Sequence, residues 1–351
     1  MDLANVLNNK KKEYIPMRKI LSILLCAAML MTMVVFAGCD NKEDDKAETL
    51  KFGFAVEASV AAVESATADK EGKGEAVVNA AAVLVDADGK IVKCVIDTAD
   101  NTVKFTADGK AVQAEEFKTK YEQGEDYGMV AYGGAAKEWF EQVDAFTSAV
   151  VGKTADEVKA LVAEDGKAAD EILTAGCTIG VSEFVAVVVE AVNNAAESDA
   201  TADSKLQLGI VSSQSECKDA TAEAEGSNVV DTTVVAAAVD AEGKVVAMAT
   251  DALQAKFAFD DAGVCEVELG AIKTKDDLGA DYGMVAYGGA AKEWNEQADA
   301  FDATCVGKTA TEIAALVAEN GYNGVDALVS AGCTIGVADM VKAAVKAATV
   351  A

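Results

Sequence analysis

The stretch DYGMVAYGGAAKEW, Asp126–Trp139, returns without a change as Asp281–Trp294. The spacing of 155 residues, from 126 to 281, is the size of one ordinary domain. It is far longer than the roughly 20–50 residues of a solenoid or propeller repeat. The chain is therefore read as two copies of one unit. Outward from the identical stretch, GKTADEVKALVAEDG from Gly152 answers GKTATEIAALVAENG from Gly307, and TAGCTIGV from Thr174 answers SAGCTIGV from Ser330. One extra residue precedes the second AGCTIGV, so the offset there is 156. Upstream, VLVDADGKIV from Val83 faces AAVDAEGKVV from Ala237, and the earlier parts match only in pattern.

Each copy opens with β-type runs around a turn, VVNAAAVLVDADGKIVKCVIDTA and TTVVAAAVDAEGKVVAMATDA, whose Asp-Ala-Asp-Gly and Asp-Ala-Glu-Gly tetrapeptides carry hairpin chemistry. A third short strand is expected at TVKFTA or AKFAFD. The second half of each copy reads as helical. Trp139, Val143, Phe146 and Val150 fall at helical spacing, as do Trp294, Ala298, Phe301 and Cys305. Thr154 with Glu157, and Thr309 with Glu312, form capping boxes that start a second helix. A last helix is predicted over about 182–196 and 338–348. The expected fold is α+β: two tandem repeats, 51–196 and 206–351, each a small antiparallel sheet packed by helices. Each is long enough to bury a core of its own. The charged stretch 197–205 reads as the linker between them.

Ahead of the repeats, MRKILSILLCAAMLMTMVVFAGCDNKEDDK begins basic at Met17, runs apolar from Ile20 to Ala37, and ends on Ala37-Gly38-Cys39 before an abrupt charged tether. Residues 1–39 are thus laid out as an export signal and 40–50 as a tether. The small-small-Cys triplet resembles a bacterial lipobox, although Phe36 stands where Leu is usual; the resemblance implies a lipid-modified Cys39 and an extracytoplasmic, membrane-anchored protein. An uncleaved transmembrane anchor is the alternative, since the apolar run just reaches across a bilayer. Met17 is a better start than Met1 for such a signal.

Removing residues 1–38 takes away Lys10, Lys11, Lys12, Arg18, Lys19, Asp2 and Glu13, leaving 25 Lys against 57 Asp plus Glu, a net charge of −32. Such a chain repels nucleic acid and anionic lipid head groups. There is no His, and the only Arg is Arg18. That excludes Ser-His-Asp and Cys-His nucleophile systems, His-ligated zinc and C-x-x-C-H haem attachment, and removes bidentate Arg clamps for phosphate. Cys94, Cys177, Cys217, Cys265, Cys305 and Cys333 are scattered singly, and only Cys177 and Cys333 correspond between copies. A disulfide framework is not expected, while a cross-repeat bridge stays open.

Chemistry must then come from a bound group. In AGCTIGVSEFVAVVVEAV from Ala175, and AGCTIGVADMVKAAVKAA from Ala331, a Gly, a small residue and a Thr lead into an apolar helix. This arrangement resembles the FMN-binding domain of flavin-carrying respiratory subunits and extracellular electron-transfer lipoproteins. In that family a flavin transferase esterifies FMN, through its phosphate, to the Thr of a D-x-x-S-G-A-T type motif. Gly176 and Thr178, then Gly332 and Thr334, match it. Cys177 and Cys333 stand in place of Ala, the hydroxyl moves one place early to Thr174 and Ser330, and the acidic residue moves to Asp170 and Asp326. The resemblance implies FMN on Thr178 and Thr334, a membrane-held electron carrier without a substrate of its own, and a redox donor and acceptor as partners. A helix N-terminus supplies unpaired N–H groups for a phosphate without Arg; equally, a Thr there serves as an ordinary cap.

The identical stretch supplies Tyr127, Met129, Tyr132 and Trp139, and their partners Tyr282, Met284, Tyr287 and Trp294, as flat apolar cover for a flavin ring. Lys137 and Lys292 are placed to meet a phosphate or ring carbonyls. Alternatively the tryptophans belong to the core and the lysines to a solvated helix face. The other function carried forward is a non-redox lipoprotein with two ligand- or protein-binding modules.

Overall fold

The computed structural model describes residues 48–163 and 167–349. The signal, the lipobox Cys39 and the tether up to residue 47 lie outside the described residues. Among the described residues no helix is long and apolar enough to cross a membrane.

The fold is α+β, built from two antiparallel sheets. In the first repeat β1 (Thr49–Glu64), β2 (Gly72–Val85) and β3 (Ile91–Phe105) pair in chain order, β4 (Ala111–Val112) adds to β3, and β5 (Ala196–Thr201) adds to β1. In the second, β6 (Lys205–Lys218), β7 (Gly226–Val239) and β8 (Val245–Phe259) form the same meander, and β9 (Gly270–Ile272) crosses to pair with β1 of the other sheet. The predicted hairpins are β2–β3 and β7–β8. In the first turn Asp86 Oδ1 accepts from the N–H groups of Asp88 and Lys90 at 3.0 and 2.8 Å, and Asp240 does the same for Glu242 and Lys244.

Two expectations change. TVKFTA and AKFAFD are not separate strands but the ends of β3 and β8; the third strand of each meander is the long one that precedes the hairpin. It escaped notice because β1 and β6 share no identical stretch. The segment read as a linker is also structured: Glu197–Thr201 lies within β5, with Lys51 opposite Glu197. Its acidic residues suit an edge strand, whose charges discourage pairing with another chain.

Alternate residues of β2 serve different layers. Ala81, Val83 and Val85 join the helices of the first repeat, whereas Val78, Ala80, Ala82 and Leu84 meet Val234, Ala236 and Ala238 of β7. The other residues of β7, Val235, Ala237 and Val239, face the helices of the second repeat. The order is therefore helices, sheet, sheet, helices, and each sheet is buried on both faces. That is why NAAAVLV and VVAAAV read as nearly unbroken apolar runs. Phe105 of β3 and Phe259 of β8 stack at 4.5 Å between ring centroids, 7° from parallel. A polar seam runs through the same interface: Asn101 Nδ2 donates to Thr232 Oγ1 at 2.9 Å, and Thr232 and Ser212 share a bond of 3.0 Å.

The helices of the first repeat are α1 (Lys120–Gln123), α2 (Trp139–Val150), α3 (Ala155–Lys159), α4 (Asp170–Ala175) and α5 (Ser182–Asn193); those of the second are α6 (Lys275–Leu278), α7 (Trp294–Cys305), α8 (Ala310–Ala314), α9 (Asp326–Ala331) and α10 (Ala338–Ala348). Trp139, Val143, Phe146 and Val150 are buried along α2, and Trp294, Ala298, Phe301 and Cys305 along α7, as their spacing predicts. Both capping boxes form: Glu157 and Glu312 accept from the Thr154 and Thr309 N–H groups at 2.8 Å, and the threonine Oγ1 atoms accept in return at 3.4 Å. The last helix ends at Asn193 because Ala196 already belongs to β5. The six cysteines of the described residues are free, and Cys177 and Cys333 sit in separate cores, so no bridge joins the repeats through them.

Candidate functional site

The identical stretch folds into a loop that bonds chiefly to itself. A turn of 3-10 helix, Gly124–Tyr127, leads in, and α2 leads out. The Glu138 carboxylate, buried at the start of α2, accepts from Met129 N–H at 2.9 Å and Val130 N–H at 3.1 Å. Glu293 holds Met284 and Val285 in the same way, at 2.9 and 3.2 Å. Tyr132 N–H returns to Gly128 O at 2.9 Å, and the tyrosine ring lies over Gly128 so closely that a Cβ there would come within 2.4 Å of it. The side chains that this closure depends on are the Glu138 and Glu293 carboxylates, and the bare Gly128 and Gly283 leave room for the tyrosine rings.

A second residue of α2 ties this loop to AGCTIGV. Gln142 is buried, and its Oε1 accepts from both Thr178 N–H at 2.8 Å and Thr178 Oγ1 at 3.0 Å, while its Nε2 donates to Lys137 O at 3.1 Å. Gln297 does the same for Thr334, at 2.8 and 2.9 Å, and for Lys292 O at 3.1 Å. The Lys137 ammonium lies against Gly176, where a Cβ would meet Nζ at 2.4 Å; Lys292 repeats this at Gly332. These glycines also hold φ of 101° and 102°, a left-handed conformation that ends α4 and α9.

The threonines are therefore placed differently from the expectation. Thr178 does not open the final helix, nor does it cap it: α5 begins at Ser182, with Val181 in the cap position. The short α4, too brief to show periodicity in sequence, ends at Gly176, and the chain needs another turn to re-enter a helix. Thr178 and Thr334 are exposed, presented on that turn and held from behind by glutamine.

Beside the turn in the first repeat lies a cavity of about 360 Å³, reached by Ile179 and Gly180 and lined also by Tyr127, Met129, Trp139, Phe184 and Lys120. Trp139 packs edge-on against Phe184, with ring centroids 6.1 Å apart. Lys120 Nζ stands 5.1 Å from the Tyr127 ring, 5.6 Å from the Trp139 ring and 3.1 Å from Asp100 Oδ2. Burial works against its charge, but Asp100 and the Tyr127 hydroxyl more than offset it and the lysine pKa is raised. In the second repeat Lys275 stands 5.1 Å from the Tyr282 ring and 5.5 Å from the Trp294 ring.

Of the residues singled out in sequence, Tyr127, Met129 and Trp139 reach the cavity. Trp139 and Trp294 are at the same time core residues, 3 % and 5 % exposed. Tyr132 and Tyr287 do not join them: at 90 % and 91 % exposed they stand out from the loop tips. Cys177 and Cys333 are buried, and burial pushes the Cys177 thiol up and that of Cys333 up to about 11. Both stay protonated at neutral pH, so the turn carries a hydroxyl, held by the glutamine, and no thiolate. Gln142, Gln297, Glu138, Glu293, Lys120 and Lys275 were missed. The signal was present: Glu-Gln at 141–142 and 296–297, and Lys-Thr-Lys at 118–120 and 273–275, persist among changed neighbours.

The chain matches no protein family model, no curated protein and no solved structure.

Proposed function

We propose that the protein is a lipid-anchored, extracytoplasmic flavin carrier, with FMN esterified to Thr178 and Thr334 by a flavin transferase, relaying electrons between a redox donor and acceptor. The observation that carries this reading is the turn itself: an exposed threonine whose hydroxyl is held by glutamine, a lysine against the glycine two residues earlier and, in the first repeat, a cavity next to it lined in part by aromatic residues. The residues fit the group. The cavity volume falls within the roughly 300–1,000 Å³ of small-molecule sites. Tyr127 and Met129, backed by the buried Trp139 and Phe184, would give a ring polarisable contact, Asn79, Thr98 and Glu183 add polar groups to the lining, and Lys137 would offer a cation to a phosphate on Thr178 Oγ1.

Bound flavin supplies the redox chemistry; the chain's residues hold and tune it. With an O–P bond in place of Thr178 Oγ1–H, the proton having left with the group displaced from the flavin phosphate, the Thr178 N–H would still donate to Gln142 Oε1 and the turn would keep that anchor. Lys120, kept charged by Asp100, places a positive charge in the cavity lining. Such a charge favours electron-rich forms of a bound ring.

Thr178→Val and Thr334→Val preserve shape and remove only the oxygen to be esterified. With the transferase present, each variant should lose one FMN mass and about half the yellow absorbance, and the double variant all covalent flavin. A double variant that stays fully flavinylated contradicts the reading. The exposed Tyr132 and Tyr287 favour the second reading, two non-redox binding modules, because the same rigid loop presents the same aromatic twice. A colourless protein of unmodified mass, purified from its own membrane, selects that one.

A further inference from the structure

The two repeats differ at one glycine. Gly180 lines the cavity of the first repeat, and among the described residues nothing lies within 4 Å of where its Cβ would stand. Its counterpart Gly336 is covered, since a Cβ there would come within 2.2 Å of Tyr322 Cζ and 2.5 Å of the Tyr322 hydroxyl oxygen. Tyr322 lies in the segment that is one residue longer than its counterpart, Tyr-Asn-Gly-Val at 322–325 against Lys-Ala-Ala at 167–169, and the first repeat has no aromatic residue there. The surrounding backbone fixes its position: Val337 N–H donates to Tyr322 O at 2.9 Å, Asn323 bridges to Gly336, and Asn320 Oδ1 accepts from Tyr322 N–H at 3.0 Å. The ring is 63 % exposed, so it leans on the site from outside and is not a core residue.

The floor of the site differs as well. Val77 lines the first cavity, between Ser59 and Asp100 on the neighbouring strands. In the same register the second repeat has Asp231, between Ser213 and Gln254, and Asp231 Oδ1 is buried without a hydrogen-bond partner. The first repeat also holds such an oxygen, since Asp100 Oδ1, opposite Val77, is buried without a hydrogen-bond partner, so in this respect the two floors are alike. Phe184, the edge-on neighbour of Trp139, is replaced by Met340.

We propose that Tyr322 decides which repeat can seat a flat aromatic ligand: the first repeat is open to one, and the second is closed in front of Gly336 by the chain's own tyrosine. The choice of a flavin ring as that ligand rests on the function proposed above, whereas the inequality of the two sites does not. Both threonines are presented alike, so attachment is equal in the two repeats and seating is not.

The test uses the chain made in a host without flavin transferase, with free FMN as the probe. By equilibrium dialysis the wild-type chain should bind one equivalent and Tyr322→Ala two. The two tryptophans, one per site, report separately. In Trp294→Phe, FMN should quench Trp139 emission severalfold; in Trp139→Phe, Trp294 emission should stay unchanged until Tyr322→Ala is added. Dialysis on chains that keep both tryptophans guards against a single-Trp variant that fails to fold. Two equivalents on the wild type, none, or one on Tyr322→Ala would each overturn the proposal. Covalent mass on Thr178 of native protein together with no binding of free FMN sinks this inference and leaves the carrier function standing. Binding of one equivalent without any native covalent mass does the reverse.

Discussion

The first repeat has Gly180 open and Phe184 beside Trp139; the second has Gly336 under Tyr322 and Met340 in place of the phenylalanine. Between those differences the loop, the Glu138 and Glu293 clamps and the Gln142 and Gln297 anchors agree to within about 0.1 Å in every bond. The identical fourteen residues include the glutamate that clamps the loop and, in the first repeat, three residues that line the cavity, Tyr127, Met129 and Trp139. The differences between the copies lie in the residues around that stretch, Gly180 with Phe184 against Gly336 with Met340 and Tyr322.

The comparison breaks most severely if the repeats are separated. Val234, Ala236, Ala238, Leu206 and Ile210 are buried against the first sheet, and β9 pairs with β1. A fragment of residues 206–349 should therefore lack a cooperative thermal transition or associate through its bare sheet. A monomeric, cooperatively folded fragment would show that each repeat is independent, and the shared core incidental.

Phe105 and Phe259 put the symmetry to a finer test, since both are buried and each stacks on the other. Either one changed to Ala should cost about 3–5 kcal/mol. The double variant should cost less than the sum by about 1 kcal/mol, measured by urea unfolding. Unequal single costs would mean that one repeat dominates the interface.

A smaller effect is expected at Asp97 in the first repeat. Burial pushes its carboxyl up to about 6, against hydrogen bonds from the Thr119 side chain and the Thr98 and Tyr121 N–H groups that favour the charge. A carboxyl raised in the folded state stabilises when protonated. Its contribution is full below its ordinary value of 3.8 and is lost as pH rises through about 6. Asp97→Asn, which keeps an acceptor oxygen, should flatten the stability profile between those two values. Thermal unfolding from acid to neutral pH checks this, and an unchanged slope refutes it.

The capping boxes give the smallest and most equal effect. Thr154→Ala and Thr309→Ala should each lower stability by about 1 kcal/mol and leave the loop and the exposed threonines unchanged.

These boxes, the duplication, the hairpin turns and the final helix at 338–348 were legible because each rests on local chemistry. Thr-x-x-Glu satisfies its own donors, and Asp-Ala-Asp-Gly turns on itself. The sheet-on-sheet packing is not local. Its signal lay in NAAAVLV, an apolar run too continuous for a sheet wetted on one face, whereas the expectation was of two units, each a small sheet packed by its own helices. Strands β1 and β6 escaped because their sequences diverged, and Tyr322 because the copies differ in length there. The position of Thr178 was misjudged by one turn, since a six-residue helix ending at Gly176 leaves no periodic trace.

The most direct test of the carrier function is peptide mapping by mass of protein purified from its own membrane. The account predicts that the two fragments holding AGCTIGV, around Thr178 and Thr334, each carry the added mass of one FMN lost together with its phosphate on hydrolysis. Both fragments found at their unmodified masses would contradict it.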